Sequence, residues 1–323
     1  MSQDDLFQPV IELPEEVRDE RYRRLVGLDH IKSRLRKEAT VLANPKALAE
    51  WAARNHPGVG ISSTALQLIS DRAPLIVFGG DVGSGKSALA ESFGCDLSRV
   101  LEVPVYLYRL KLAARGSGLV GEMTSLIGDA FDHLRVQGEK SRTASGKIKA
   151  IQVFVVDEAD ALVKSREEHQ MHHEDRAGVD AFLAGIDGLA GSNLPIVVVL
   201  CTNRLNAMDP AVRRRAAATF EFGRPSEDQR RQVLSEALTD FDIDDTTIEK
   251  LVDITGPDSG GSEGLGYTFS DLTQRLVPTA ILEAFPDGAV TADLVLTLAQ
   301  TLAPTPAFND QEPDYRRADS ERA

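Results

Sequence analysis

Two clusters of residues have the types and spacing for phosphate chemistry. The first is Phe78-Gly79-Gly80-Asp81-Val82-Gly83-Ser84-Gly85-Lys86-Ser87, with four glycines and one lysine in ten residues. Its last eight positions fit the phosphate-loop pattern GxxxxGK[ST]. In such a loop Gly80, Asp81, Val82, Gly83, Ser84 and Gly85 turn backbone N–H groups towards phosphate oxygens. A helix that opens near Gly85, with Ala88 in its first turn, adds its positive end. Lys86 reaches the β- and γ-phosphates of a nucleoside triphosphate, and the Ser87 hydroxyl ligates Mg²⁺. The second cluster is Asp157-Glu158, at the end of the apolar run Ile151-Gln152-Val153-Phe154-Val155-Val156. There Asp157 would hold the metal, directly or through water, and Glu158 would polarise an attacking water. ATP and Mg²⁺ are the cofactors these residues call for.

Each cluster has a plainer reading. A glycine turn can simply join a strand to a helix, and an acidic pair can simply open a helix, favoured by its dipole. Neither reading explains why two buried strands each end in half of an ATPase site.

The elements that must position these residues are legible as short apolar runs alternating with helical stretches. The runs are 75–78, 103–108, 151–156 and 194–200, with 220–222 as a fifth. Runs apolar throughout suit strands buried on both faces of a parallel sheet. Ligands of such sheets bind beyond the carboxyl ends of the strands, where both clusters fall. After Arg224-Pro225 the pattern becomes wholly helical, opening on the capping box Ser226-Glu227-Asp228-Gln229. Further helices are expected around 245–254, 269–284 and 291–301. The fold class expected is α/β, a phosphate-loop parallel sheet followed by a small all-α lid. The expected domains are a flexible acidic arm over 1–24, the nucleotide-binding domain over 25–225, the lid over 226–302 and a disordered tail over 303–323.

The chain resembles the AAA+ ATPases, and their AAA clade in particular, from about Leu25 to Thr301. The segment Val197-Val198-Val199-Leu200-Cys201-Thr202-Asn203, followed by Asp209-Pro210-Ala211 and Arg213-Arg214-Arg215, carries the likeness most strongly. The resemblance implies that Asn203 helps orient the lytic water. It implies that Arg214 acts as an arginine finger, completing the site of a neighbouring subunit. The second finger position falls on Ala217, a departure from the family pattern, with Arg213 or Arg215 as a replacement. Val26 and Gly27 match the segment that packs on adenine. Gly266, within Gly264-Leu265-Gly266-Tyr267-Thr268-Phe269-Ser270-Asp271-Leu272, matches the lid motif that approaches ribose and adenine.

A ring homo-oligomer, a hexamer, follows from the resemblance, with a loop facing the central pore. Here that loop offers Leu119-Val120-Gly121 in place of the usual aromatic-hydrophobic-glycine step. The three histidines His169, His172 and His173 fall in the expected second pore loop, and no closed metal-ligand set accompanies them. The layout and the Gly121-Glu122-Met123-Thr124-Ser125-Leu126-Ile127 segment are similar to remodellers of HORMA-domain proteins of the thyroid-receptor-interacting-protein-13 type, including those of bacterial CBASS antiphage operons. The resemblance thus implies an ATP-driven remodeller of a protein partner. A nucleic-acid ATPase and a nucleotide-gated scaffold with little turnover are the alternatives. A net charge of −14 argues against the former, because duplex binding needs a basic face. Glu158 and Asn203 argue against the latter, because binding alone needs neither. No run reaches membrane-spanning length, no basic-then-apolar leader opens the chain, and Cys95 and Cys201 lack metal spacing. A cytoplasmic protein without membrane contact is expected.

Overall fold

The computed structural model describes residues 3–56, 58–59, 63–111, 122–160, 173–257 and 264–307. By its internal contacts the chain falls into two units, Met1–Gly80 with Gly85–Phe222, and Asp81–Ser84 with Gly223–Ala323.

The first unit is built on six strands: β1 (Ile11–Leu13), β2 (Leu75–Gly80), β3 (Val105–Arg109), β4 (Ile151–Val156), β5 (Ile196–Thr202) and β6 (Ala216–Phe222). Their order across the sheet is β1-β3-β4-β5-β2-β6. All neighbours are parallel except β1 and β3, which run antiparallel. The continuous apolar runs have a simple cause. Leu75 and Val77 point into one core while Ile76 and Phe78, the alternate residues, point into another. A strand covered on both faces has no solvent side to mark with polar residues.

Helices supply the two covers. In chain order they are α1 (Gln3–Leu6), α2 (Glu16–Arg23), α3 (Asp29–Ala43), α4 (Pro45–Asn55), α5 (Thr64–Ser70), α6 (Lys86–Ser92), α7 (Gly94–Leu101), α8 (Glu122–Lys140), α9 (His173–Leu189) and α10 (Pro210–Arg215). Residues of α8 and α9, such as Leu126, Phe131, Phe182 and Ile186, cover one face. Residues of α3, α6 and α7, such as Leu35, Ala39, Leu89 and Leu97, cover the other. Each such buried Leu, Ile, Val or Phe side chain contributes about 1.5–3 kcal/mol relative to exposure.

Residues 3–24 correct the expectation of a flexible arm. Strand β1 pairs with β3 in the register Ile11↔Leu107, Glu12↔Tyr106 and Leu13↔Val105. Leu6, Phe7 and Leu13 are each 1% exposed. Polar composition hid three deeply buried apolar side chains.

The second unit holds α11 (Glu227–Ala237), α12 (Asp245–Ile254), a π-helical turn over Asp271–Leu276, α13 (Val277–Ala284) and α14 (Ala292–Thr301). Its centre is Leu234, Leu251, Val252, Leu272, Leu276, Ala280 and Val295, all fully buried. The capping box of α11 is formed by both its bonds, Gln229 N–H to Ser226 Oγ at 3.3 Å and Ser226 N–H to Gln229 Oε1 at 2.9 Å. The π turn leads into a helix with Pro278 in its first turn. Pro278 has no N–H for the Gln274 carbonyl, and its ring would press on that group. A wider turn relieves both.

The expected disordered tail is corrected in part. Thr305 donates its hydroxyl to Asp271 Oδ1 at 2.6 Å and its N–H to Asp271 Oδ2 at 3.0 Å, and Arg275 donates to the Ala303 carbonyl at 3.0 Å. Residues 308–323 lie outside the described residues, as do Leu119, Val120, Gly121, His169 and His172. Among the described residues no helix is long and apolar enough to cross a membrane.

Candidate functional site

Parallel pairing brings the ends of β2, β4 and β5 together. Gly79 lies beside Thr202, and Val156 beside Leu200. The residues at these strand ends are therefore close: Gly80, the last of β2, Asp157 after β4 and Asn203 after β5. The first two are the two clusters singled out in the sequence.

The loop between β2 and α6 is tightly determined. Gly80 has φ +141°, and a Cβ on it would lie 2.0 Å from the Phe222 carbonyl oxygen, so only glycine fits between β2 and β6. Lys86 is buried, and its ammonium donates to the Gly80 carbonyl at 3.0 Å, folding the side chain back over the loop. Ser87 Oγ donates to Asp157 Oδ1 at 3.0 Å. This bond joins the hydroxyl and the carboxylate that the sequence assigns to one metal ion. Ala88 follows in the first turn of α6, and its carbonyl accepts the Ser92 hydroxyl at 2.6 Å. Leu25 and Leu28 approach Gly85 at 3.7 and 3.8 Å from a Cβ built there, which sets the turn holding Val26 and Gly27 beside the start of α6.

Within the second unit, Asp81–Ser84 dock on the segment after Gly266. Ser270 N–H donates to the Gly83 carbonyl at 3.1 Å. A Cβ on Gly83 would lie 2.8 Å from Thr268 Oγ1 and 2.9 Å from Ser270 Cβ, at a φ of +70°. Ser84 is buried and bonds the Asp81 carbonyl at 2.6 Å, while Val82 is exposed. Gly266 is buried, its carbonyl accepting Arg224 Nη1.

Glu158 has an exposed side chain and a left-handed backbone, φ +50°. For a non-glycine residue that conformation costs on the order of 1–2 kcal/mol. It is held in part by Asp157, whose Oδ1 accepts the Glu158 N–H at 2.9 Å. Asn203 is fixed by a residue that sequence reasoning missed. Asp160 Oδ1 accepts the Thr202 hydroxyl at 2.5 Å and the Asn203 N–H at 2.9 Å. Its only signal in the sequence is its place in Asp157-Glu158-Ala159-Asp160, one turn after the acidic pair. Beneath them, burial pushes the Cys201 thiol well above its usual range, and the Asp157 charge adds to the effect. Such a thiol is inert at neutral pH.

The three arginines of α10 differ sharply. Arg215 grips Asp187 with two parallel bonds, at 2.6 and 2.8 Å. This hydrogen-bonded pairing lowers the Asp187 carboxyl below its ordinary range. Arg213 donates to the Leu205 carbonyl at 2.5 Å. Arg214 is exposed and forms no ion pair with a described residue. Nor does any described contact join it to Lys86, Asp157 or Glu158 of its own chain.

The donor set fits a magnesium nucleotide. A hydroxyl and a carboxylate lie 3.0 Å apart, which suits a hard cation, and the lysine is folded back onto Gly80, where a side chain is sterically excluded.

Relatives agree. A model of the ATPase family associated with various cellular activities (AAA) matches residues 76–224. "CD-NTase-associated protein 6" of Escherichia coli strain MS 115-1 is 46% identical over 96% of this chain and 98% of its own length. A chain of the E. coli MS115-1 HORMA:CdnC:Trip13 complex superimposes with a TM-score of 0.88 at 46% identity, covering 96% of this chain and 99% of that one. Rhizobiales Trip13 does so with a TM-score of 0.71 at 39% identity, covering 93% of this chain and 100% of that one. With the phosphate loop, the acidic strand end, a family match over residues 76–224 and a 46% identical relative along 96% of its length, this chain belongs to the AAA ATPase family.

Proposed function

We propose that the chain is a ring-forming ATPase that uses hydrolysis to remodel a HORMA-domain protein. The observation that carries the ATPase reading is the 3.0 Å bond between Ser87 and Asp157, which unites two strand ends in one cation site. The partner reading is supported by the solved complex in which a 46% identical chain occurs together with HORMA and CdnC.

Bound Mg·ATP would supply the phosphoanhydride to be cleaved and the cation that balances its charge. The chain's own groups then have distinct tasks. Lys86 gives up the Gly80 carbonyl and turns its ammonium to the phosphates. Ser87 and Asp157 would hold the cation. Glu158 takes a proton from the attacking water, and Asn203, held by Asp160, fixes that water's direction. Arg214 reaches out of its own protomer to the site of the next, where a guanidinium's planar fork grips phosphate oxygens. Val26 and Gly27 would bound the adenine.

Two variants test this together. Lys86→Ala should lose nucleotide binding. Glu158→Gln should keep binding, lose turnover and retain its partner, so that a purified HORMA-domain protein co-elutes with it in ATP and not in ADP. Near-normal ATP affinity of Lys86→Ala would refute the cradle, and release of the HORMA protein from Glu158→Gln at the wild-type rate would refute coupled remodelling.

A further inference from the structure

Asp81 is an unexpected residue for its place. It follows the first glycine of a loop whose N–H groups are set to hold a polyanion, and a carboxylate there opposes one by simple Coulomb repulsion. Its Oδ2 accepts Arg224 Nε at 2.7 Å, and its Oδ1 accepts the Val82 N–H at 2.9 Å. The paired side chains are only 14% and 18% exposed, so solvent and salt screen them less than a surface pair. The same guanidinium donates through Nη1 to the Gly266 carbonyl, and through Nη2 to the Thr305 carbonyl at 2.7 Å. One arginine therefore ties together three segments of the second unit: the loop 81–84, the turn at Gly266 and the strap at 303–305.

We propose that Arg224 is a positioning residue for nucleotide binding: it neutralises Asp81 so that the glycine loop accepts a polyphosphate. This inference rests on the nucleotide reading above and deepens it. Lysine cannot fully replace Arg224, because one ammonium does not span three acceptors fixed in a fork.

The test is a Mg·ATP binding titration on wild type, Arg224→Ala, Asp81→Asn and the double variant. Thermal melting without nucleotide checks that each is folded, and Lys86→Ala serves as the non-binding control. Arg224→Ala should weaken binding on the order of tenfold or more, the usual consequence of leaving one member of a partly buried pair alone. Asp81→Asn should bind more tightly than wild type, because it removes the carboxylate and leaves the Arg224 charge beside the loop. The double variant should recover most of what Arg224→Ala loses, since sites in contact are non-additive. A double variant as weak as Arg224→Ala, or an Arg224→Ala of wild-type affinity, overturns the inference while leaving the cradle intact. Equal binding by wild type and Lys86→Ala overturns the nucleotide reading and this inference with it. If Arg224→Ala does not fold, Arg224→Gln with and without Asp81→Asn decides by the same criterion.

Discussion

At the scale of single residues, Asp271 shows how one carboxylate organises the second unit. Burial alone would raise its pKa. The Thr305 hydroxyl, the Thr268 and Thr305 N–H groups and the Arg275 guanidinium outweigh burial and bring it down to about 2. A carboxyl whose folded pKa lies below its unfolded value stabilises the fold only while ionised. The contribution is therefore complete above the ordinary carboxyl range near pH 4, and disappears as pH falls towards 2. A shift of this size corresponds to about 2 kcal/mol. Asp271→Asn should thus be about 2 kcal/mol less stable than wild type at pH 7 in urea unfolding. That gap should close between about pH 4 and pH 2. A gap unchanged across this range would mean that Asp271 acts through shape rather than charge.

At the scale of elements, local patterns revealed much and long-range pairings little. The strands were legible because both faces are buried, which leaves an unbroken apolar run at 75–78 and one interrupted only by Gln152 at 151–156. Helix α11 was legible because its capping box is written in four consecutive residues, 226–229. The phosphate loop and the acidic pair were legible for the same reason, each being a contiguous motif. Asp160 and Arg224 were not, because their partners Thr202 and Asp81 lie 42 and 143 positions away. The N-terminal strand was hidden too, being three residues long, with Glu12 inside it and Pro9 and Pro14 close on either side. Its neighbour Phe7 nevertheless stacks edge-on against Tyr108 at 5.2 Å and Phe154 at 5.9 Å. Gln8 N–H adds a bond to the Arg109 carbonyl at 2.9 Å, and Lys111 N–H one to the Leu6 carbonyl at 3.0 Å. These contacts lie at the end of β3, just ahead of the segment expected to face the pore. Phe7→Ala should cost about 3–5 kcal/mol, the usual penalty for emptying a large aromatic site. Chemical denaturation reads this directly. A loss below about 1 kcal/mol, the size typical of surface changes, would mean that the segment is only loosely attached.

At the scale of the whole molecule, α10 poses the question of assembly. Arg215 is committed to Asp187 and Arg213 to the Leu205 carbonyl, so neither is available to replace the missing second finger without breaking a bond already made. Arg214 is exposed and forms neither an ion pair nor a side-chain hydrogen bond like those of Arg213 and Arg215 with the described residues. An exposed cation with no partner stabilises nothing in its own chain. As proposed above, Arg214 meets an anion brought by another molecule, the phosphates in a neighbour's cradle. Arg214→Ala should therefore bind ATP normally and lose turnover by on the order of a thousandfold, the scale of an arginine finger. Lys86→Ala should be inactive for the opposite reason, since it would present Arg214 but hold no nucleotide. Mixing the two should restore measurable hydrolysis, because some interfaces then pair an intact cradle with an intact finger. Turnover in the mixture should pass through a maximum as the ratio is varied, and should vanish on dilution as rings dissociate. No recovery at any ratio, in subunits shown by light scattering to co-assemble, would place Arg214 in service of its own chain and remove the shared site.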